Sequence, residues 1–189
     1  MRRLIVQEFV TLDGMAAGPE GETDFIPATT EGDDAFMDHQ MRFIDTVDTM
    51  VLGRVNYELF ASYWPTATGD DKPFADKVNA LDKVVFSTTL EHAPWGSYDP
   101  ATVTADDPRV EIPRRKAHDG KDMVVWGSLS LVRSLAEAGL VDEYQLWMLP
   151  LVLGAGRPLF GEGVGQFTME LVGTKSTASG ATLLRYRPR

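Results

Sequence analysis

Residues 123–139, MVVWGSLSLVRSLAEAG, decide the fold class because they combine a strand, a tight turn and a helix. Residues 123–126 form an apolar run of β-forming side chains, and a glycine-serine pair then turns the chain. From Val132 onward the apolar side chains recur at the three- and four-residue spacing of a helix, which Gly139 is suited to end. The stretch is therefore a βα unit, the building block of sheets whose faces are covered by helices.

The rest of the chain alternates the same two patterns and then ends in strands. Apolar β-forming runs predict further strands at residues 4–10, 49–52, 83–87, 101–104, 143–149, 166–175 and 181–187. Helical spacing predicts helices at residues 33–45, 54–61, 74–81 and 107–118, the last interrupted by Pro113. Residues 88–100 are predicted to be a loop. This order predicts an α/β fold with a mixed, mostly parallel sheet, an antiparallel C-terminal edge and helices on both faces.

The composition excludes several classes of function. The net charge of −10 repels phosphate backbones, so we expect no nucleic-acid partner, and an anionic ligand would need local binding groups. The chain has no cysteine, which excludes disulfides, thiolate metal sites and cysteine nucleophiles. No apolar run approaches the roughly 18 residues of a membrane span, and we expect a cytoplasmic protein with no membrane partner. Without internal repeats or linkers, residues 1–189 are expected to form one domain.

Three predicted strand ends carry residues that suit an anionic ligand. Arg54 follows Gly53 at a helix N-terminus, where a bound phosphate would resolve the conflict between the arginine and the helix dipole; an arginine paired with a surface carboxylate fits equally well. Residues 87–89 present hydroxyls at a strand end, where sheets of this class bind ligands, although strand-end capping is the simpler explanation. Gly127 and Ser128 offer close backbone approach and free helix N–H groups, or a generic capped turn. Together these strand ends outline a dinucleotide groove at one edge of the sheet.

The ionisable residues indicate neither a metal site nor a serine triad. His39, His92 and His118 lack ligand spacing, and neither an H-E-x-x-H nor a G-x-S-x-G motif occurs. We interpret each histidine as structural or exposed and expect no bound metal. Asp38 belongs to an acidic cluster that fits a helix cap and a solvated face, and it is also placed to enter a cleft as a proton donor.

Six motifs, read in chain order, resemble one family. They are EFVTLDG at 8–14, VLGR at 51–54, VVFST at 84–88, VVWGS at 124–128, GLVDEY at 139–144 and LGAGRPLF at 153–160. This order is similar to that of the reductase domain of bacterial riboflavin biosynthesis, the RibD C-terminal-like branch of the dihydrofolate-reductase-like superfamily. The resemblance runs over nearly the whole chain, and the last two motifs are its most specific part. It implies the dihydrofolate-reductase-like three-layer fold.

The resemblance also implies an oxidoreductase that binds NADPH across the carboxyl edge of the sheet. By this resemblance, Gly53, Arg54 and Asn56 would hold the cofactor phosphates, including the 2′-phosphate. Ser87 and Thr88 would lie near the adenosine. Gly127, Ser128 and Leu129 would lie near the pyrophosphate. The loop with Thr11, Asp13 and Gly14 would border the nicotinamide and the substrate. The acid that dihydrofolate reductases carry on their first helix falls near Asp38, which is our candidate proton donor.

The implied reaction is hydride transfer from NADPH to a C=N or C=O carbon of a small heterocyclic or sugar-linked substrate. The family-type example is the reduction of 5-amino-6-(5-phosphoribosylamino)uracil. Two alternatives stay open: a non-catalytic dimer that binds NADPH or another ligand, and a dihydrofolate reductase. The resemblance implies a homodimer, for which Trp147 and Met148 would supply an apolar contact surface unless they fill the core.

Overall fold

A computed structural model describes residues 1–21, 23–161 and 163–189 of the chain. Its strands are β1 (Leu4–Thr11), β2 (Met15–Ala17), β3 (Val47–Gly53), β4 (Asp82–Phe86), β5 (Ala93–Trp95), β6 (Tyr98–Thr104), β7 (Asp122–Val125), β8 (Glu143–Leu149), β9 (Arg157–Pro158), β10 (Met169–Ser176) and β11 (Thr182–Pro188). Its helices are α1 (Phe25–Thr30), α2 (Asp34–Ile44), α3 (Arg54–Tyr63), α4 (Lys72–Ala80), α5 (Pro108–Lys116) and α6 (Leu129–Glu137), with short 3-10 helices at Trp64–Thr66 and Gly69–Asp71.

Nine strands form one sheet in the order β10-β11-β8-β1-β7-β3-β4-β6-β5, and β2 pairs with β9 apart from it. The six strands from β8 to β6 run parallel, whereas β11 joins β8 and β10 joins β11 in antiparallel pairs. The predicted mixed sheet with an antiparallel C-terminal edge is therefore confirmed.

Helices cover both faces of this sheet, as predicted. Ile112 of α5 and Leu135 of α6 pack with Val125 on one face. Tyr57 of α3 and Val78 of α4 pack with core residues on the opposite face. Because side chains alternate along each strand, the parallel strands present apolar residues to both layers, which explains their nearly continuous apolar sequence.

The other edge of the sheet corrects one prediction. Residues 88–100, predicted as a loop, include β5 and the start of β6, which pair in an antiparallel hairpin. The signal was weak because β5 has only three residues and contains Pro94, which cannot donate a ladder hydrogen bond and is tolerated on an edge strand.

Pro113 lies inside α5 without ending it, so the predicted interruption is also corrected. The proline removes the hydrogen bond to the carbonyl of Arg109, but both residues are exposed and water can take that bond. Ile112, fully buried on the other side of the helix, anchors α5 to the sheet.

Trp147 does not lie at the surface of the chain, and Met148 is only partly exposed. Trp147 is fully buried against Phe36, and Met148 is packed against the core that underlies α6. Trp147 fills the interior of this chain, which corrects its suggested role at a dimer interface, whereas Met148 is half-buried. In the part of the chain that the structure describes, no helix has the length and apolar character needed to cross a membrane.

The parallel arrangement brings the carboxyl ends of β1, β3, β4 and β7 to one edge of the sheet. These ends are Thr11, Gly53, Phe86 and Val125. The segments that follow them carry the glycines, hydroxyls and carboxylates singled out in the sequence, so this carboxyl edge is the candidate site.

Candidate functional site

The backbones of two neighbouring strand ends meet at Gly53 and Gly127. The N–H of Gly53 donates to the carbonyl of Gly127 across 3.3 Å. A Cβ on Gly53 would overlap the Oγ of Ser128 and lie 3.2 Å from its Cβ. Gly53 therefore has to be a glycine for the ends of β3 and β7 to approach this closely. The peptide bond between Gly127 and Ser128, in the same turn, is cis.

Asn56 of α3 holds the same turn from the other side. Its Nδ2 donates to the carbonyl of Trp126 at 3.0 Å. Gly127 has a φ of +66°, a left-handed conformation that favours glycine, and a Cβ there would lie 2.7 Å from the Cγ of Asn56. The side chain of Asn56 is thus used to fix the turn between β7 and α6.

The helices that start from these two strand ends offer free backbone donors. Gly53 is the N-cap of α3 and Ser128 is the N-cap of α6, and within the described residues neither receives a side-chain cap at its helix. The first N–H groups of both helices and the positive ends of their dipoles lie at the carboxyl edge. This arrangement can bind phosphate groups of a ligand.

Arg54, the first residue of α3, adds a movable cation to the same place. Its side chain is 52% exposed, and its Nη1 lies 3.6 Å from Oε1 of Glu58 one turn later. An exposed pair of this kind contributes little to stability, so the guanidinium can leave it for a ligand at small cost.

The structure gives less direct support for ligand binding by Ser87, Thr88 and Leu129. The Oγ of Ser87 accepts the N–H groups of Thr89 and Leu90, at 3.2 and 3.1 Å, and so closes the turn after β4. Thr88 is exposed beside it, and Leu129 is half-buried against the core beneath α6. The strand-end capping weighed in the sequence analysis therefore accounts for the Ser87 hydroxyl.

Asp13 joins two loops, a role that its sequence context did not indicate. Its carboxylate accepts the Thr11 hydroxyl at 2.5 Å and the N–H groups of Leu153 and Gly154 at 3.2 and 2.7 Å. These hydrogen bonds, the Thr11 hydroxyl first, lower the pKa of Asp13 to about 2. The loop that ends at Gly14 is thereby tied to the loop after β8, and Asp13 shapes this border of the site as a fixed anion.

Asp38 does not join the group at the carboxyl edge. Its side chain is 70% exposed on the solvent face of α2 and lies 3.5 Å from the Arg42 guanidinium. Gln40, two positions later, is among the buried residues of this helix, together with Phe36, Phe43 and Ile44, and its amide cannot serve as an acid. The position of Asp38 therefore gives no support to its assignment as proton donor, because the helix turns its side chain away from the sheet.

A buried amide network beneath the site was missed by the sequence analysis. Trp126 donates its indole N–H to Oε1 of Gln7 at 2.8 Å, and Gln7 exchanges side-chain hydrogen bonds with Gln40. Trp147 donates to the same Gln40 amide at 3.2 Å. The network spans β1, β7, β8 and α2, and it fixes Trp126, whose carbonyl Asn56 binds.

Glu8 is the second missed residue. It lies half-buried on β1, and its Oε1 accepts the N–H of Gly127 at 2.8 Å. Burial raises the pKa of Glu8 to about 8, although the Gly127 N–H acts in the opposite direction. The available signal was its strand position, since an even-numbered residue of β1 shares the face of Leu4, Val6 and Val10, which are buried.

What the arrangement can do chemically is bind an anionic, extended ligand along the carboxyl edge. Paired helix N-termini and Arg54 suit phosphates, and the Thr11–Gly14 loop and Glu8 lie at the β1 end of the same edge. Across the described ranges, no group of three or more histidine, aspartate or glutamate side chains is arranged to hold a metal ion.

Comparisons with known proteins agree with this architecture. Residues 2–183 match the family model of the RibD C-terminal domain. The uncharacterized protein YyaP of Bacillus subtilis is 32% identical over 187 residues, which cover 98% of this chain and 94% of YyaP. A solved structure from Shewanella sp. PV-4, provisionally named a riboflavin biosynthesis protein, aligns over 99% of both chains with a TM-score of 0.77 and 21% identity.

A second solved structure fixes the wider fold class. Dihydrofolate reductase from Enterococcus faecalis, in complex with NADP(H), aligns over 99% of this chain and 96% of its own with a TM-score of 0.63 and 12% identity. The fold is therefore dihydrofolate-reductase-like, and the chain belongs to the RibD C-terminal domain family.

Proposed function

We propose that the protein is an NADPH-dependent reductase whose cofactor binds along the carboxyl edge of the sheet. The observation that carries the proposal is the close contact of Gly53 with Gly127 and Ser128, which brings two uncapped helix N-termini together. In this proposal the N–H groups at the start of α6, from Ser128 and Leu129 onward, hold the pyrophosphate. Arg54 binds the 2′-phosphate, while Gly53 and Asn56 keep the turn open to it.

The substrate is proposed to be a small heterocyclic or sugar-linked compound, with 5-amino-6-(5-phosphoribosylamino)uracil as the family-type example. The cofactor, when bound, supplies a hydride. The residues position the two rings and exclude water: Trp126 is fixed by the amide network, and Asp13 holds the loop of Thr11 and Gly14 against the loop after β8. Ser87 and Thr88 lie beside β3, where the adenosine end would extend.

The first test is binding of NADPH and of NADH, followed by quenching of tryptophan fluorescence. We expect NADPH to bind more tightly than NADH, because only NADPH carries the phosphate assigned to Arg54. Loss of a charge-assisted hydrogen bond of about 1.5–3 kcal/mol should weaken NADPH binding roughly 10- to 150-fold in Arg54→Ala. Binding of NADH should change far less.

Arg42→Ala is the matched control for this substitution. Arg42 is also an exposed helical arginine in an i,i+4 pair, 71% exposed and 3.5 Å from its partner, but it lies on α2. Its removal changes the net charge equally and should leave NADPH binding within about twofold. Equal losses of NADPH affinity in both variants would mean that net charge, and not a contact of Arg54, causes the effect. No NADPH binding by the wild type at millimolar concentration would refute the reductase proposal.

We also propose that the protein is a homodimer, on the strength of its family alone. Its interface would not include Trp147, since that side chain is fully buried within this chain. Size-exclusion chromatography with light scattering tests the proposal, and a monomer across micromolar concentrations would refute it.

A further inference from the structure

Three glutamates have side chains that are at least half-buried, and Glu8 differs from the other two in its partners. The other two are fully buried and each is paired with arginines: Glu111 with Arg114 and Arg115, and Glu143 with Arg3, Arg185 and Arg187. Within the described residues, Glu8 forms no ion pair, and the N–H of Gly127 is the one hydrogen bond to its carboxyl group. A partly buried carboxyl group without a paired cation is more readily held in its neutral form.

The side chains that face Glu8 from the neighbouring strands carry no charge. On the same face of the sheet, β7 presents Val125, and β8 presents Leu146 and Tyr144. Burial raises the pKa of Tyr144 to about 12, so this phenol stays neutral. From α6, the Arg133 guanidinium keeps its positive charge, but it donates to the carbonyls of Pro158 and Leu159 and, among the described residues, forms no ion pair with Glu8.

The position of Glu8 joins it to the proposed cofactor site. Gly127, whose N–H Glu8 accepts, immediately precedes the N-cap of α6, where the pyrophosphate is proposed to bind. A carboxylate here would repel that anion, whereas a neutral carboxyl group would not. Binding of the cofactor should therefore hold a proton on Glu8.

We propose that Glu8 is the proton-carrying residue of the reductase site: it holds a proton when NADPH is bound and delivers it to the substrate as the hydride arrives. This inference rests on the proposed function. It replaces Asp38, the exposed acid on α2, as the proton donor.

In the delivery step the O–H bond of Glu8 breaks, and its proton goes to the nitrogen or oxygen of the substrate C=N or C=O group. The π-electron pair of that group forms the new N–H or O–H bond, while the carbon receives the hydride. The substrate is reduced by two electrons, and NADPH is oxidised by two. Glu8 is left as a carboxylate that still accepts the Gly127 N–H, and it regains a proton from water.

Proton uptake on NADPH binding tests the proposal without any substrate. Isothermal titration calorimetry at pH 8.5, in two buffers of different ionisation enthalpy, gives the number of protons taken up. The wild-type protein should take up roughly half a proton or more per NADPH, and its affinity should fall by up to about tenfold per pH unit above pH 8. In Glu8→Gln the uptake and this pH dependence should disappear, because the amide still accepts the Gly127 N–H but cannot ionise.

Asp38→Asn is measured beside it as the rival acid. Loss of uptake in Glu8→Gln with unchanged uptake in Asp38→Asn supports the inference. No uptake in the wild type, equal uptake in wild type and Glu8→Gln, or loss only in Asp38→Asn overturns it while NADPH binding, and with it the proposed function, still stands. If no variant binds NADPH at any pH, the proposed function fails and the inference fails with it.

Turnover separates proton delivery from a purely structural role. In single-turnover reduction of 5-amino-6-(5-phosphoribosylamino)uracil, Glu8→Gln should slow hydride transfer at least about 100-fold while NADPH binding is retained. A rate within about threefold of wild type would overturn the delivery step.

Discussion

Gly127→Ala tests the contact on which the proposed site depends, and Gly139→Ala is its matched control. Both glycines have left-handed backbone conformations, with φ of +66° and +64°. They lie at the two ends of α6. A Cβ on Gly127 would overlap the Asn56 amide, whereas a Cβ on Gly139 would meet nothing within 4 Å.

The expected magnitudes follow from this difference. A Cβ in the left-handed region costs about 1–2 kcal/mol at either position. Gly127→Ala must also displace Asn56 from the carbonyl of Trp126, and leaving that buried carbonyl unpaired costs about 1–3 kcal/mol more. The free energy of unfolding should therefore fall by about 2–5 kcal/mol in Gly127→Ala and about 1–2 kcal/mol in Gly139→Ala. At roughly 2–4 °C per kcal/mol, the Tm values should differ by roughly 2–12 °C.

Urea unfolding and thermal scans give both quantities, and an NADPH titration gives the consequence for binding. NADPH affinity should fall at least about tenfold in Gly127→Ala, because the turn can no longer approach β3 and α3 in the same way. Gly139→Ala should bind as the wild type does. Equal losses of stability in the two variants would refute the close packing at Gly127, and unchanged NADPH binding in Gly127→Ala would separate this turn from the cofactor site.

Three further predictions concern ionisable groups that take no part in the proposed proton delivery. Asp13→Asn should lower Tm at pH 7. The Tm difference from wild type should shrink as the pH falls from about 4 towards 2, because Asp13, whose pKa is lowered, becomes protonated there and its stabilisation is lost. A Tm difference that does not change with pH would contradict this. Glu143→Gln should cost about 1–3 kcal/mol in urea unfolding, because Arg185 and Arg187 lose this carboxylate while Arg3 keeps Asp122, against under about 0.5 kcal/mol for the exposed control Glu58→Gln. Burial, aided by nearby cations, lowers the pKa of His39 to about 4. The free energy of unfolding of the wild type should therefore fall as the pH falls from about 6.5 to about 4, and this fall should be smaller in His39→Phe. Equal acid sensitivity in the two proteins would contradict the lowered pKa of His39.

Local sequence was sufficient where an element has its own strong periodicity. The β7–α6 unit and β8 were predicted to within a residue or two, since their apolar side chains repeat at strand or helix spacing over whole elements. The hairpin of β5 and β6, by contrast, was not predicted, although its two strands are neighbours in sequence. Its three-residue β5 carries too little pattern to be distinguished from a loop.

The position of the candidate site could be predicted from the sequence, but the contacts of its side chains could not. The strand-end glycines indicated the correct edge, because parallel strands end together. The partners of Asp13 and Glu8 could not be found this way, since they lie 140 and 119 positions away in the chain. Asp38 illustrates the remaining error: on a helix, a shift of two positions turns a side chain from the sheet to the solvent, and Gln40 holds the inward position instead.

Gly127 explains why the two proposals must be tested with different substitutions. Its carbonyl accepts the N–H of Gly53, its N–H donates to Glu8, and its Cα lies against Asn56. A change at Gly127 therefore disturbs the cofactor turn and the environment of the acid together, and a loss of activity there would not distinguish them. Glu8→Gln keeps the acceptor for the Gly127 N–H and removes only the ionisable proton. Binding retained without proton uptake in that variant is consequently the one result that assigns the proton to Glu8 rather than to the turn that holds it.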